Sequence, residues 1–467
     1  MKKMIRRLLP LLLTAALLFT LSGAGAAAGL RGDVDKDGAV RPSDARLALR
    51  RSVKLEDYLP GSSPFLAADM DGDGEVSSGD ARALLRLSVG LSTGLDELVP
   101  AEKTPDAAFH DAMLRFALGL FRQTAKEDEG SNLLVSPLSV MTALSMAANG
   151  AKGETLAQLE QTLGNGLTAA DLNAYLHTLT QTLPNSEKSR LRIANSLWIN
   201  NTVRRDVKRP FLSSMLAYYG AGINACDFDQ AGIDAVNNWV KENTDGMIDS
   251  ILMLLLNALA FDAKWQSPYQ EELVRDEEFR RADGTKDACK MMHGEERVYL
   301  EDATTTGFVK PYSGGGYRYI ALLPDEDVPL EAYIASLTPE KLSALLDGAR
   351  QGITVYTSLP KYSFQYSVKL NDALKALGTE RLFDPDRCDL SAMFPPETGA
   401  YVSDVLHKTF IEVNTEGTRA AAVTGLVAEF SCMPTESKTV VLDRPFVFLI
   451  TMGEANTPVF IGAVNRI

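Results

Sequence analysis

Positive charge is the minority in this chain of 467 residues, with 47 Lys and Arg against 61 Asp and Glu and a net charge of −14. That deficit excludes the basic footprint a nucleic-acid binder needs and favours solubility instead. Cysteine is scarce. Cys226, Cys289, Cys388 and Cys432 are the only four, and no tight spacing suggests a disulfide framework. Free thiols are the expectation, with Cys432 the one placed to oxidise or join a partner. The four histidines, His110, His177, His293 and His407, are scattered. There is no Gly-x-Ser-x-Gly elbow, no phosphate-cradling glycine loop followed by Lys, and no His-Glu-x-x-His, so the common hydrolase and nucleotide chemistries lack their residues. Glycine-rich residues 313–316 read as a turn. Hydrophobic residues make up 45% of the chain, enough for one large core and a smaller module.

Long apolar runs are absent beyond residues 8–21. That run follows Lys2, Lys3, Arg6 and Arg7 and precedes a small-residue stretch at 23–28. A basic head, a short apolar segment and a small-residue exit describe a secretory signal peptide over residues 1–28. The mature protein is therefore expected outside the cell, free or held at a surface by a partner. No cysteine stands at the exit to carry a lipid.

Residues 33–44 read Asp-Val-Asp-Lys-Asp-Gly-Ala-Val-Arg-Pro-Ser-Asp, and a related stretch, Asp-Met-Asp-Gly-Asp-Gly-Glu-Val-Ser-Ser-Gly-Asp, occupies residues 69–80. Carboxylates at the first, third and fifth places converge on one point, and a sixth-place glycine permits the turn between them. Hard oxygen donors at this spacing suit Ca²⁺. The candidate ligand positions are Asp33, Asp35, Asp37, Ala39 and Asp44 in the first loop. In the second they are Asp69, Asp71, Asp73, Glu75, Ser77 and Asp80. Each loop leads into one short helix, and the two helices are near copies.

A tandem calcium loop plus single helix resembles the dockerin modules, here over residues 29–91, followed by a linker at 92–107. The resemblance implies a small all-α unit holding two Ca²⁺ ions and docking to a cohesin domain of a scaffolding protein. Pro42, Ser43, Ser78 and Gly79 match the positions that influence cohesin choice.

The remainder is organised around residues 415–434. Gly417 opens a run of small and β-branched residues with no aromatic before Phe430 and no proline before Pro434. On strand parity, Thr418, Ala420, Ala422, Thr424, Leu426 and Ala428 share one face, and both charges, Arg419 and Glu429, share the other. Such a segment fits between existing strands without clashing, yet three consecutive alanines make it a poor strand alone. It reads as a strand held in reserve.

With its flanks, this run resembles the hinge and reactive-centre loop of the serpins. Further landmarks lie in serpin order: Ser-Asn-Leu-Leu-Val-Ser-Pro-Leu-Ser at 131–139, Asn-Gly-Ala-Lys-Gly-Glu-Thr at 149–155, Asn-Ser-Leu-Trp at 195–198, the stretch 257–265, and Val-Phe-Ile-Gly-Ala-Val-Asn at 459–465. The likeness spans residues 108–467. It implies an α+β fold with three β-sheets, eight or nine helices and an exposed loop, and inhibition of a serine or cysteine protease as a suicide substrate. Glu416, Gly417, Thr418, Ala420, Ala421 and Ala422 are then the hinge. Ser136, Ser139, Asn257 and His407 hydrogen-bond behind the central sheet, with Trp265 near its top. Serpin spacing puts the cleaved bond at Ser431–Cys432, with Phe430–Ser431 one residue away. No Arg or Lys stands near, so an elastase-, subtilisin- or chymotrypsin-like protease is expected. The alternative is a non-inhibitory serpin serving as a binding or structural protein. Three departures stand out: Thr415 where serpins carry an acid that forms a salt bridge, Arg419 where an acid is common, and a shortened connector between residues 246 and 254.

Overall fold

The computed structural model describes residues 32–37, 39–56, 58, 63–71, 75–89, 98–203, 206–227, 229–243, 255–418 and 436–467. The proposed signal peptide, Asp73, the shortened connector and residues 419–435 of the loop lie outside the described residues.

The first unit is helical: α1 (Pro42–Ser52), α2 (Ser63–Ala68) and α3 (Ser78–Ser88). The twelfth loop residues, Asp44 and Asp80, start α1 and α3 by accepting from backbone N–H groups. Asp44 Oδ2 takes the Arg41 N–H at 2.7 Å, and Asp80 Oδ2 takes that of Ser77 at 2.8 Å, which satisfies donors a helix start leaves orphaned. This unit has its own core, built on Val34, Ala48, Phe65, Met70 and Leu84.

The second unit opens with α4 (Ala107–Glu127), β1 (Leu133–Val135), α5 (Pro137–Gly150), α6 (Gly153–Gly164), α7 (Ala169–Gln181), β2 (Ser189–Asn200), α8 (Arg209–Tyr219), β3 (Gly222–Cys226), α9 (Gln230–Asn243) and β4 (Leu255–Lys264). Strands β5 (Val274–Arg280), β6 (Lys286–Glu301), β7 (Thr305–Pro311) and β8 (Tyr317–Pro324) precede α10 (Leu330–Ser336) and α11 (Pro339–Asp347). The chain closes with β9 (Arg350–Pro360), β10 (Tyr362–Lys369), α12 (Asn371–Ala376), β11 (Leu406–Val413), β12 (Gly417–Thr418), β13 (Ser437–Val441), β14 (Phe446–Met452) and β15 (Thr457–Val464).

Local chemistry sets these boundaries. Asp106 caps α4, its carboxylate accepting from Ala108 and Phe109 N–H. Ser136 caps α5 ahead of Pro137, which suits a first turn that has no use for its N–H. The segment leading into α4 is held against α7: the Lys103 N–H reaches Thr178 Oγ1 at 2.9 Å, and the Lys103 ammonium pairs with Asp171 at 3.0 Å.

The strands form two hydrogen-bonded networks among the described residues. One runs β10-β11-β12-β4-β2-β3. The other runs β1-β15-β14-β8-β7-β6-β9-β13, with β5 also on β6. The three expected sheets appear as two because β6, at 16 residues, serves two of them: its first part pairs β5, its end pairs β7, and β9 pairs it on both sides of an irregularity between Glu296 and Val298. Every residue of β14 and β15 is buried, so both faces of this ribbon are covered. Helices α4 and α5 lie on β15, and α5 also meets β4, which ties the two networks into one core.

Gly462 in β15 marks a tightly packed point of this ribbon. A Cβ there would sit 2.5 Å from the Leu133 carbonyl oxygen and 2.6 Å from the Phe448 ring. Replacement Gly462→Ala is expected to destabilise by about 1–3 kcal/mol through overpacking, read as a lower urea midpoint than wild type under identical conditions.

Candidate functional site

The hinge sits at one end of the six-stranded sheet. Strand β12 is two residues long, yet it is hydrogen-bonded on both sides: Thr418 pairs with Val413 of β11, and Gly417 and Thr418 pair with Lys264 and Ala263 of β4. Both pairings are antiparallel, so β11 and β4 run parallel to each other. Among the described residues, β12 alone joins them. The first residues of the reserve strand therefore already occupy the slot the sequence assigns to the whole run.

Residues 414–417 make the turn that delivers them. Asn414 Oδ1 accepts from the N–H groups of Glu416 at 2.9 Å and Gly417 at 3.2 Å, and the Asn414 N–H donates to the Gly417 carbonyl at 3.0 Å. Trp265, 1% exposed, grips the turn from the sheet side. Its indole N–H donates to the Asn414 carbonyl at 2.9 Å and its backbone N–H to that of Glu416 at 2.8 Å. Gly417 has no room for a side chain, since a Cβ would lie 2.0 Å from the Ala263 carbonyl oxygen. Thr418 is buried and its hydroxyl bonds the Tyr312 hydroxyl at 2.5 Å. The Tyr312 ring stacks on Trp265 with centroids 4.4 Å apart.

Thr415 explains the first sequence departure. Its hydroxyl donates to Glu271, whose carboxylate also pairs with Lys361 at 3.0 Å. These two partners hold the Glu271 carboxyl below its usual range, the Thr415 bond first and Lys361 second. An acid at 415 would face another carboxylate. The cation that would answer such an acid is already engaged by Glu271.

Beneath Trp265 lies an ion pair the sequence reading missed. Lys310 on β7 and Glu296 on β6 meet at 2.6 Å with side chains only 3% and 6% exposed. The ammonium also donates to the Ser267 carbonyl at 2.9 Å and stands 4.1 Å above the Tyr269 ring. Water is excluded, so each charge depends on the other to offset its desolvation. The signal was available: Lys310 interrupts an otherwise uncharged stretch from Gly307 to Pro311.

Behind the sheet, Ser136, Ser139 and His407 come together. The Ser136 N–H donates to His407 Nε2 at 3.0 Å, its hydroxyl donates to the Val459 carbonyl at 2.8 Å, and Ser139 N–H returns to Ser136 Oγ at 3.3 Å. Asn257 joins a different pair. Its amide donates to Asn195 Oδ1 at 2.7 Å, and its own Oδ1 is buried without a hydrogen bond. With Nε2 accepting, the proton of the neutral His407 ring sits on Nδ1.

In the small unit, carboxylate oxygens of Asp33, Asp35 and Asp37 lie within 4.8 Å of one another, as do those of Asp69, Asp71 and Asp80. Such all-oxygen sets fit Ca²⁺. Ala39 and Ser77 are placed by the loop bonds, Ala39 N–H to Asp37 Oδ1 at 3.0 Å and Ser77 hydroxyl to Asp80 Oδ2 at 2.7 Å. Glu75 is half-buried at the seventh place, while Asp73 lies outside the described residues. Ala420, Ala421, Ala422, Phe430, Ser431 and Cys432 lie outside them as well.

Two cysteines among the described residues, Cys289 and Cys388, are free thiols, and Cys226 is buried. Burial raises the Cys289 thiol and pushes that of Cys388 up to about 11, so both stay protonated. One arrangement has the look of a triad, with His293 bonded to Ser358 at 3.0 Å and to Glu277 at 2.7 Å. His293 and Ser358 are facing residues of paired strands, and the serine is buried, so this is a cross-strand bond and not an exposed nucleophile.

An α+β domain whose central sheet holds the first residues of its own loop as a strand, preceded by a helical unit with paired acidic loops, defines a loop-bearing scaffold joined to a docking module. The chain belongs to the serpin (serine protease inhibitor) family, whose profile matches residues 111–467, and carries a dockerin type I domain matched over residues 31–87. Leukocyte elastase inhibitor A of Mus musculus is 32% identical over 374 residues, covering 75% of this chain and 97% of its own. The human leukocyte elastase inhibitor is 32% identical over 376 residues with the same coverages. Among solved structures, the thermophilic serpin tengpin in its native state aligns with a TM-score of 0.74 at 40% identity, covering 80% of this chain and 98% of that one. Tengpin in its latent state aligns with a TM-score of 0.69 at 39% identity, covering 78% and 100%.

Burial holds His407 neutral, with a pKa lowered to about 4 from an ordinary 6.5. The folded chain refuses a proton that the unfolded chain accepts below pH 6.5. The stabilisation is complete above that pH and shrinks by about 3 kcal/mol as pH falls to 4. Urea midpoints measured across this window should drop in wild type, and His407→Gln should flatten that part of the profile.

Proposed function

We propose that this protein is a secreted protease inhibitor that acts as a suicide substrate. The observation that carries the reading is Gly417–Thr418, already hydrogen-bonded between β11 and β4 as the opening residues of an added strand. A serine protease attacks the loop at the Ser431 carbonyl, or at Phe430 one residue earlier. The protease oxygen bonds to that carbonyl carbon, the peptide C–N bond breaks, and the proton passes to the departing amine of Cys432 or Ser431. A cysteine protease would use its sulfur in the same way.

Cleavage frees residues 419–431 to follow Thr418 into the sheet. From Thr418 to Ser431 is 14 residues, about 46 Å at roughly 3.3 Å per residue. The residues that extend Thr418's face are Ala420, Ala422, Thr424, Leu426 and Ala428, all uncharged and small apart from Leu426, and the register set by Gly417–Lys264 and Thr418–Ala263 carries them along β4 away from Trp265, while Ala421 lies on the opposite face. At about 0.5–1.5 kcal/mol per net backbone hydrogen bond, insertion releases on the order of 10 kcal/mol. The acylated protease is carried to the far end, its active site is deformed and deacylation stops. Before cleavage the uninserted state persists for kinetic reasons.

The absence of Arg and Lys near the bond favours an elastase-, subtilisin- or chymotrypsin-like target, and relatives named as leukocyte elastase inhibitors support the first of these. Residues 1–28 export the chain. The dockerin domain, holding two Ca²⁺ ions in its acidic loops, attaches the inhibitor to a cohesin of an extracellular scaffold, where it guards neighbours from proteolysis. Among the described residues no helix is long and apolar enough to cross a membrane.

Incubation of the mature protein with subtilisin, chymotrypsin and pancreatic elastase should give a protease-sized adduct stable to denaturant, and the mass of the released C-terminal peptide identifies the bond. Loop cleavage with neither adduct nor gain in thermal stability would sink inhibition and leave a binding role. Gly417→Val is expected to turn the inhibitor into a substrate, because its side chain meets the Ala263 carbonyl at the entry to the slot. Cleavage should then continue while adduct yield falls at least about tenfold, a penalty of 1.4 kcal/mol or more on insertion.

A further inference from the structure

The two acidic loops are unequal, and the inequality resides in the first. Residues 33–44 carry four carboxylates, Asp33, Asp35, Asp37 and Asp44, against Lys36 and Arg41, for a net −2. Residues 69–80 carry five, Asp69, Asp71, Asp73, Glu75 and Asp80, with no Lys or Arg, for a net −5. Calcium affinity in loops of this kind follows ligand charge and rigidity, so composition alone favours the second.

The structure adds where the basic charge goes. Arg41 stands at the ninth place, where the second loop has Ser77, and its guanidinium is bound to the Asp37 carboxylate. A cation is thus tethered to one of the three carboxylates that converge in the first loop. In the second loop the ninth-place Ser77 hydroxyl braces Asp80, donating to Oδ2 while accepting from the Gly79 N–H at 3.0 Å, and the cation near Asp71 is the exposed Arg209 from outside the loop, at the longer distance of 3.9 Å. Exposure differs little at matching places: Asp33 and Asp69 are buried, as are Asp44 and Asp80, and only Asp35, exposed where Asp71 is half-buried, departs in the same sense. A final asymmetry lies in the backbone. Lys36 occupies the left-handed region at φ 62, a conformation strained for a residue with a side chain, where the second loop has Gly72.

We propose that Arg41 is a built-in competing cation, so that the module takes up calcium in two unequal steps. The second loop fills first and tightly. The first loop fills weakly, and only as Arg41 swings away from Asp37. The proposal rests on the calcium-binding reading of the module. Its consequence is directional: at limiting calcium the Ser78–Gly79 end is set, while the Pro42–Ser43 end, adjoining Arg41 at the start of α1, follows the ion concentration.

Calorimetric titration of calcium chloride into the full-length mature protein, stripped with chelator, tests this with wild type, Arg41→Ser and Arg41→Lys. Wild type should show two steps separated by at least about tenfold in Kd, and Arg41→Ser should tighten the weaker step about tenfold while leaving the stronger one. Arg41→Lys should keep the weak step. Two equal steps in wild type, or an Arg41→Ser protein whose weak step does not move, would overturn the proposal. Absence of calcium-dependent heat in all three would remove the calcium reading itself, which is a separate result.

Discussion

Everything distinctive in this molecule depends on one insertion: Gly417 and Thr418 hydrogen-bonded between two parallel strands. Parallel neighbours leave room for an antiparallel strand whose donors and acceptors match both sides at once. Only a chain with no side chain at the entry can start it, since the Ala263 carbonyl fills that space. The Asn414 turn, the Trp265 bonds and the Tyr312 hydroxyl all fix the same two residues in the same place. A strand begun with this geometry needs only small successors to continue.

Polar groups buried around the hinge follow a consistent rule. Lys310 and Glu296 neutralise each other under Trp265, Thr415 shares Glu271 with Lys361, and Ser136 supplies the donor that His407 accepts. Each removes a charge or an orphan proton from a region that a strand must cross. Two buried oxygens have no hydrogen bond among the described residues here, Asn257 Oδ1 on β4 and the Tyr269 hydroxyl beside Lys310. Unsatisfied groups are costly in a dry interior.

The dockerin domain obeys separate physics. Its core is a handful of apolar residues, too few to stabilise much on their own. The loops are instead held by carboxylates that accept backbone N–H groups, as Asp44 does from Val34 and Asp80 from Met70, both at 2.7 Å. Folding and the proposed cation capture therefore draw on the same side chains.

The α+β class, the two acidic loops and, of the reserve strand, its start at Gly417–Thr418 were legible because each is written in local spacing: carboxylates at alternate places, small residues after Gly417, Ser-Pro at a helix start. These follow from backbone geometry that needs no distant partner. Thr415 showed the limit, being legible as a departure from the family pattern but not as the residue that bonds Glu271, 144 positions away. Lys310 and Glu296 were passed over because a charge in a strand normally faces water. The separation of Asn257 from His407 and the fusion of two sheets along β6 could be read only from the fold, since pairing between strands is set by which surfaces bury together. The sequence determined what the loop is made of, and the tertiary structure decided where it enters, because entry is a matter of two strands running parallel at the distance one more strand requires.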